Sequence, residues 1–123
     1  MEIPKLLFVE YDSLSKRFYS LLFEGHFQTI FCDYIKCFHE SIEQSKFDLI
    51  VIDIPVRGED EGLEMIAAAK SSDKHKNTPV ICLIAHPIES KIYKLYEVSA
   101  DSLLHKPVEN ENLIHTIKKL VKN

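Results

Sequence analysis

A doubly wound α/β fold, five parallel strands with helices on both faces, is the class this sequence predicts. Three observations carry that expectation. The runs Leu6-Leu7-Phe8-Val9, Leu49-Ile50-Val51-Ile52 and Val80-Ile81-Cys82-Leu83-Ile84 are continuously apolar, as strands covered on both faces are, rather than alternating as half-exposed strands do. Segments with helical spacing separate these runs. Strand and helix alternate along the whole chain, and right-handed crossovers turn such an order into a parallel sheet.

The elements follow in order. After the first strand Ser13 is placed as an N-cap, and Leu14, Phe18, Leu21 and Leu22 recur at helical spacing, which predicts a helix over roughly 14–24 closed by Gly25. Thr29-Ile30-Phe31-Cys32 is the second strand. Ile35, Phe38 and Ile42 give the stripe of a second helix that ends before Phe47, and the third strand ends at Asp53. Glu61 to Ser71, with Leu63, Ile66 and Ala67 on one side, is the third helix; Asn77-Thr78-Pro79 turns the chain into the fourth strand. A fourth helix spans Ile88 to Val98, with Ile92, Leu95 and Tyr96 available for packing. Ser102-Leu103-Leu104 is a short fifth strand, and Leu113, Ile114, Ile117, Leu120 and Val121 draw the apolar face of the last helix.

Composition limits what such a fold could do. Hydrophobic residues at 46% and charged ones at 28% suit a single domain over 1–123 with one closed core. Fifteen basic against nineteen acidic residues, a net charge of −4, argue against nucleic acid as a direct partner, since phosphate binding wants a basic surface. No apolar run approaches the ~20 residues that span a bilayer, and Met1-Glu2-Ile3-Pro4-Lys5 lacks the features of a signal peptide. The expectation is a cytoplasmic protein with no membrane partner. Cys32, Cys37 and Cys82 are too few for a disulfide scaffold and are expected as reduced, buried thiols. The six histidines contain no close ligand pair, so no zinc site follows from their spacing.

In sheets of this class ligands bind at the carboxyl ends of the strands, where strand order reverses. The residues there are Glu10-Tyr11-Asp12, then Asp53, then Ala85-His86, then His105-Lys106-Pro107. Carboxylates from two strand ends and a lysine from a third converge on one crevice. Clustered oxygen ligands suit a hard cation such as Mg²⁺, and a lysine beside an aspartate suits a group whose negative charge rises on phosphorylation.

With these pieces in view the sequence resembles the receiver domain of two-component response regulators over essentially its whole length. The likeness is carried by Leu6-Leu7-Phe8-Val9-Glu10, Phe47 to Asp53, Gly62-Leu63-Glu64, Thr78-Pro79-Val80-Ile81 and Ala100 to Pro107. It implies Asp53 as the phosphoacceptor, a histidine kinase or phosphotransfer protein as donor, Mg²⁺ at Glu10 and Asp53, Lys106 paired with the phosphoryl group, and a cis bond before Pro107. Phosphoryl transfer asks for charge neutralisation and alignment more than for covalent help. A signalling domain and not an enzyme is expected.

The departures from the family are as informative. Tyr11 stands where the second metal-binding carboxylate belongs, and a neutral phenol is a poor Mg²⁺ ligand; Asp12, one residue further, is a further candidate. Mg²⁺ is therefore expected to bind weakly or not at all. Arg57 replaces a proline of the family, Pro55 appears instead, and Gly62 comes one residue late, the mark of an insertion in the loop after Asp53. Ile84 replaces the hydroxyl residue that ends the fourth strand and Leu103 replaces the aromatic of the fifth, so the usual coupled switch cannot run in its ordinary form.

Acceptor and lysine are kept while metal site and relay are degraded, the pattern of an atypical receiver. With no output domain after residue 123, the leading reading is a stand-alone receiver in a phosphorelay. A second reading is a phosphorylation-independent module that binds a partner or a second copy through the face of the fourth helix, fifth strand and fifth helix, with Tyr93 and Tyr96 as anchors. A third, a flavodoxin-like cofactor protein, lacks the phosphate-cradling glycines after the first strand.

Overall fold

The computed structural model describes residues 3–55 and 58–122; Arg57 lies outside them. Strands β1 (Lys5–Val9), β2 (Gln28–Cys32), β3 (Leu49–Ile54), β4 (Val80–Ile84) and β5 (Ser102–His105) alternate with helices α1 (Ser13–Phe23), α2 (Ile35–Gln44), α3 (Glu59–Ser71), α4 (Ser90–Ser99) and α5 (Asn110–Val121). All strand pairs are parallel, in the order β2-β1-β3-β4-β5. Order reverses at β1, so the crevice opens beside the carboxyl ends of β1 and β3.

Period-two alternation divides the core between the two faces of the sheet. Leu7, Val9, Ile50, Ile52, Ile54, Cys82 and Ile84 face α2, α3 and α4 through Phe38, Ile42, Met65, Ile66 and Tyr96. Leu6, Phe8, Leu49, Val51, Ile81 and Leu83 face α1 and α5 through Phe23, Leu113 and Ile117. Both sides of the three central strands are thus dry, which is why those strands read as unbroken apolar runs.

Three helices differ from the sequence reading. Asp12, not Ser13, caps α1, its Oδ2 accepting the Ser15 N–H at 2.8 Å. The stripe expected to pack is also the outer one: Leu14 is 77% exposed, Phe18 48% and Leu21 64%. Of the expected stripe only Leu22 packs on the sheet, joined by Tyr19 and Phe23, which lie against Phe8 at ring separations of 4.7 and 6.0 Å. Apolar residues lie on both sides of this helix, and the aromatic side buries more area. Gly25 follows it with φ 82°, the left-handed conformation expected of a glycine closing a helix.

On α4 Leu95 is half exposed while Tyr96 is fully buried, its hydroxyl donating to the Glu59 carbonyl at 2.6 Å. Gly62 makes room for it; a Cβ there would collide with Tyr96 Oη and Ile54 Cδ1. Tyr96 is a core residue and cannot anchor a partner. On α3 it is Met65 and Ala69 that join Ile66 in the core, while Ala67 faces solvent. His75 shows what a lone core histidine does: buried, it accepts the Phe47 N–H at Nε2 over 3.1 Å. Burial, and next the charges of Lys46 and Lys74, hold its pKa below the usual imidazole value.

Candidate functional site

Three strands, β1, β3 and β5, hand the residue that follows them to one cleft of about 530 Å³, lined by Glu10, Tyr11, Tyr19, Asp53, Pro55 and Lys106 among others. A groove of about 590 Å³ between α3 and α4, lined by Leu63, Ile66, Leu95 and Val98 among others, is apolar and gathers no such chemistry. Asp53 sits within β3, its side chain 14% exposed. Lys106 reaches it from the loop after β5: its ammonium pairs with Asp53 Oδ1 and donates to the Ile54 carbonyl at 3.1 Å. The backbone N–H of Lys106 is held by the Ile84 carbonyl at 2.8 Å, and the bonds before Pro87 and Pro107 are cis.

Glu10 is the most perturbed group in the cleft. It is 4% exposed, its Oε2 accepts the Asp12 N–H at 3.1 Å, and its buried Oε1 has no partner. Burial, and next the Asp53 carboxyl beside it, push its pKa up to about 8. Near neutrality Glu10 is therefore mostly protonated. The cluster is then Lys106 ammonium, Asp53 carboxylate and Glu10 carboxylic acid, without net charge.

A raised carboxyl pKa means that the folded state holds the proton more tightly than the unfolded chain. The stability this contributes is complete below about pH 4.5 and is lost as the pH rises through about 8. Glu10→Gln keeps the neutral shape at every pH. Its Tm is expected to match wild type near pH 5 and to exceed it progressively up to pH 9, the gap opening as the pH rises from about 4.5 through about 8. Thermal melts across that range check it; a constant gap would refute it.

The neighbouring residues add little that a cation could use. Tyr11 packs against the core with its hydroxyl buried and unpaired; burial, and next the Glu61 carboxylate, hold its pKa above 10. Asp12 lines the mouth, but its Oδ2 is engaged by Ser15, whose backbone N–H and hydroxyl both donate to it at 2.8 Å. Among the described residues no group of three or more His, Cys, Asp and Glu is arranged to hold a metal ion. Glu10 and Asp53 remain, one protonated and the other on Lys106. A divalent cation would find only these two carboxylates, beside a phenol and an engaged Asp12, and would compete with an ammonium for Asp53, so the residues present fit Mg²⁺ poorly.

The two altered positions are apolar core. Ile84 is buried at the end of β4, opposite Ile54 and His105, and offers the cleft no hydroxyl. Leu103, opposite Cys82, packs on the same side of the sheet.

Two features escaped the sequence reading. Tyr19 lines the cleft from α1, its pKa raised to about 12 by burial and then by the Asp53 and Glu10 charges; the spacing Asp12, Ser15, Tyr19 places the three on one helix face and could have revealed it. His86 and His105, far apart in sequence, meet where β4 and β5 end. Their Nε2 and Nδ1 atoms are 2.7 Å apart, their rings stack at 4.7 Å, and the Tyr93 hydroxyl lies 3.2 Å from His105 Nε2. Ile84 and His105 are register partners, a juxtaposition invisible before the strands are aligned.

Comparison with known proteins agrees with this fold. The family model for the response regulator receiver domain matches residues 7–118. The receiver domain of a sensor histidine kinase from Pseudomonas aeruginosa, solved with a magnesium ion coordinated in its active-site cleft, superposes with a TM-score of 0.83 at 14% identity, over 99% of this chain and 100% of that one. A signal receiver domain from a Clostridium thermocellum histidine kinase gives 0.82 at 21% identity, over 98% of each. A chemotaxis response regulator of Vibrio cholerae gives 0.81 at 20%, over 97% and 99%. At these identities the likeness is one of fold. No curated protein matches in sequence. Among the described residues no helix is long and apolar enough to cross a membrane.

Proposed function

Since the chain belongs to the response regulator receiver domain family, we propose that it accepts a phosphoryl group on Asp53 in a two-component relay, with Mg²⁺ held weakly or not at all. The observation that carries this reading is the Asp53–Lys106 ion pair inside the cleft, next to the buried Glu10. A carboxylate oxygen of Asp53 attacks the phosphorus of a phosphohistidine; the bond from phosphorus to the donor nitrogen breaks as the bond to Asp53 forms. Lys106 neutralises the charge that arrives, and the protonated Glu10 spares the phosphoryl group one repulsion. The donor class is a histidine kinase or a phosphotransfer protein. An exposed apolar stripe, Leu14, Phe18 and Leu21 on the helix that borders the cleft, suits a protein donor.

Intact mass after incubation with acetyl phosphate, with and without Mg²⁺, tests the reading. A labile phosphoryl adduct is expected on wild type, absent from Asp53→Asn and reduced in Lys106→Ala. No adduct under either condition, or labelling that survives in Asp53→Asn, would sink it.

Ile84 and Leu103 favour a second reading, a module whose binding does not depend on phosphorylation. Without a hydroxyl at the end of β4 a phosphoryl group has little differential contact with two states of the following loop, and a ligand without differential affinity shifts no equilibrium. The surface would then be the α4-β5-α5 face, with the half-buried Tyr93 beside His105 of β5, toward a partner or a second copy. In that case self-association or partner affinity stays within about tenfold when beryllofluoride is added.

A further inference from the structure

Cys32 ends β2 and Cys37 lies in the first turn of α2. Their Sγ atoms are 2.8 Å apart, about 0.8 Å more than the bond length of a disulfide. Cys32 is buried and Cys37 half-buried, so Cys37 is the more accessible residue of the two. The Ser41 hydroxyl, 3.2 Å from Cys32 Sγ, orients the inner thiol. We propose that Cys32 and Cys37 are a redox-sensitive dithiol, which a small-molecule disulfide such as oxidised glutathione converts to an intramolecular disulfide joining the end of β2 to the start of α2.

The exchange runs in two steps. Cys37 loses its proton to solvent and its thiolate attacks one glutathione sulfur; the glutathione S–S bond breaks, and the first glutathione leaves as a thiolate that takes up a proton. Cys32 Sγ then attacks Cys37 Sγ, the mixed disulfide breaks, and the second glutathione leaves with the proton that Cys32 gives up. The protein is oxidised by two electrons and has lost two hydrogens; oxidised glutathione has become two molecules of the thiol. The order follows from access. Burial, and next the Cys37 thiol at its side, push the Cys32 pKa up to about 12, in keeping with Cys32 as the second thiol to react.

The location gives the bond a structural consequence. Cys32 is the register partner of Val9, and its carbonyl accepts the Glu10 N–H at 2.8 Å. Oxidation would therefore brace the strand end on which Glu10 hangs. Cys82, the third cysteine, is fully buried in β4 and serves as an internal reference.

The test equilibrates the full chain in oxidised and reduced glutathione mixtures, quenches with acid, denatures and alkylates. The expected oxidised product is lighter by two hydrogens and takes up one alkyl group, on Cys82, where the reduced chain takes up three. Trypsin cuts after Lys36, between the two cysteines, so the bond appears as peptides 18–36 and 37–46 joined together. The closure constant is expected to be at least about tenfold larger in the native chain than in the urea-unfolded one, because the fold holds the sulfurs together. Three alkylatable thiols at full oxidation, a mixed disulfide that persists on Cys37, a disulfide-linked dimer, or equal constants in native and unfolded chains would each overturn the proposal. So would an unchanged loss of two thiols in Cys37→Ser.

Discussion

Tyr96→Ala is expected to remove about 3–5 kcal/mol of folding stability, the range for deleting a large buried aromatic. Tyr96 is fully buried, its ring fills the space that Gly62 leaves between α3 and α4, and its hydroxyl satisfies the Glu59 carbonyl at the start of α3. The substitution empties that space and leaves the carbonyl unmet. Urea denaturation should show the loss in the midpoint, and Tm should fall by at least about 10 °C for a domain of this size. Tyr96→Phe keeps the ring and loses only the hydrogen bond, so about 1 kcal/mol is expected of it. A loss below about 1 kcal/mol for the alanine variant would mean that α4 repacks freely. The result also governs how the second functional reading is tested: a binding defect in Tyr96→Ala would report a damaged core, whereas Tyr93→Ala probes the surface.

Tyr11→Asp is expected to tighten Mg²⁺ binding by about 1–3 kcal/mol, or roughly 5–150-fold. The variant exchanges an unpaired phenol for a third carboxylate beside Glu10 and Asp53 in the same cleft, and oxygen ligands with charge are what this cation selects. Without metal the added charge sits beside Asp53 and should lower Tm; saturating Mg²⁺ should restore it, since a ligand that binds only the folded state stabilises by mass action. Tyr11→Asn supplies an oxygen without the charge and separates the two contributions. Calorimetric titration reads all three proteins. Wild-type binding as tight as that of Tyr11→Asp would show that the cleft recruits a ligand other than the two carboxylates.

The site was legible wherever it depends on strand ends. Continuous apolar runs locate the strands and the topology aligns their carboxyl ends, which brings Glu10 from β1, Asp53 on β3 and Lys106 after β5 into one crevice. The third strand runs one residue further than expected and the fifth extends through His105, shifts of one position that leave the side-chain directions of Asp53 and Lys106 unchanged. Where apolar residues occupy both sides of a helix the periodicity offers two answers. On α1 the wrong stripe reads as the core, because nothing local says that Phe8 and Phe27 await Tyr19 and Phe23.

Local periodicity and the few topologies a right-handed chain can take are enough to read from the chain the class of fold, the order of its elements and the strand ends that meet in the crevice. They do not reveal that Tyr96 is core, that Asp12 is held on Ser15, that His86 meets His105 and Cys32 meets Cys37, or that Glu10 is buried beside Asp53 with its pKa raised. Each of those depends on through-space neighbours brought from other segments and on the water they exclude. A pKa or a sulfur–sulfur approach belongs to an environment, which spacing along the chain does not encode.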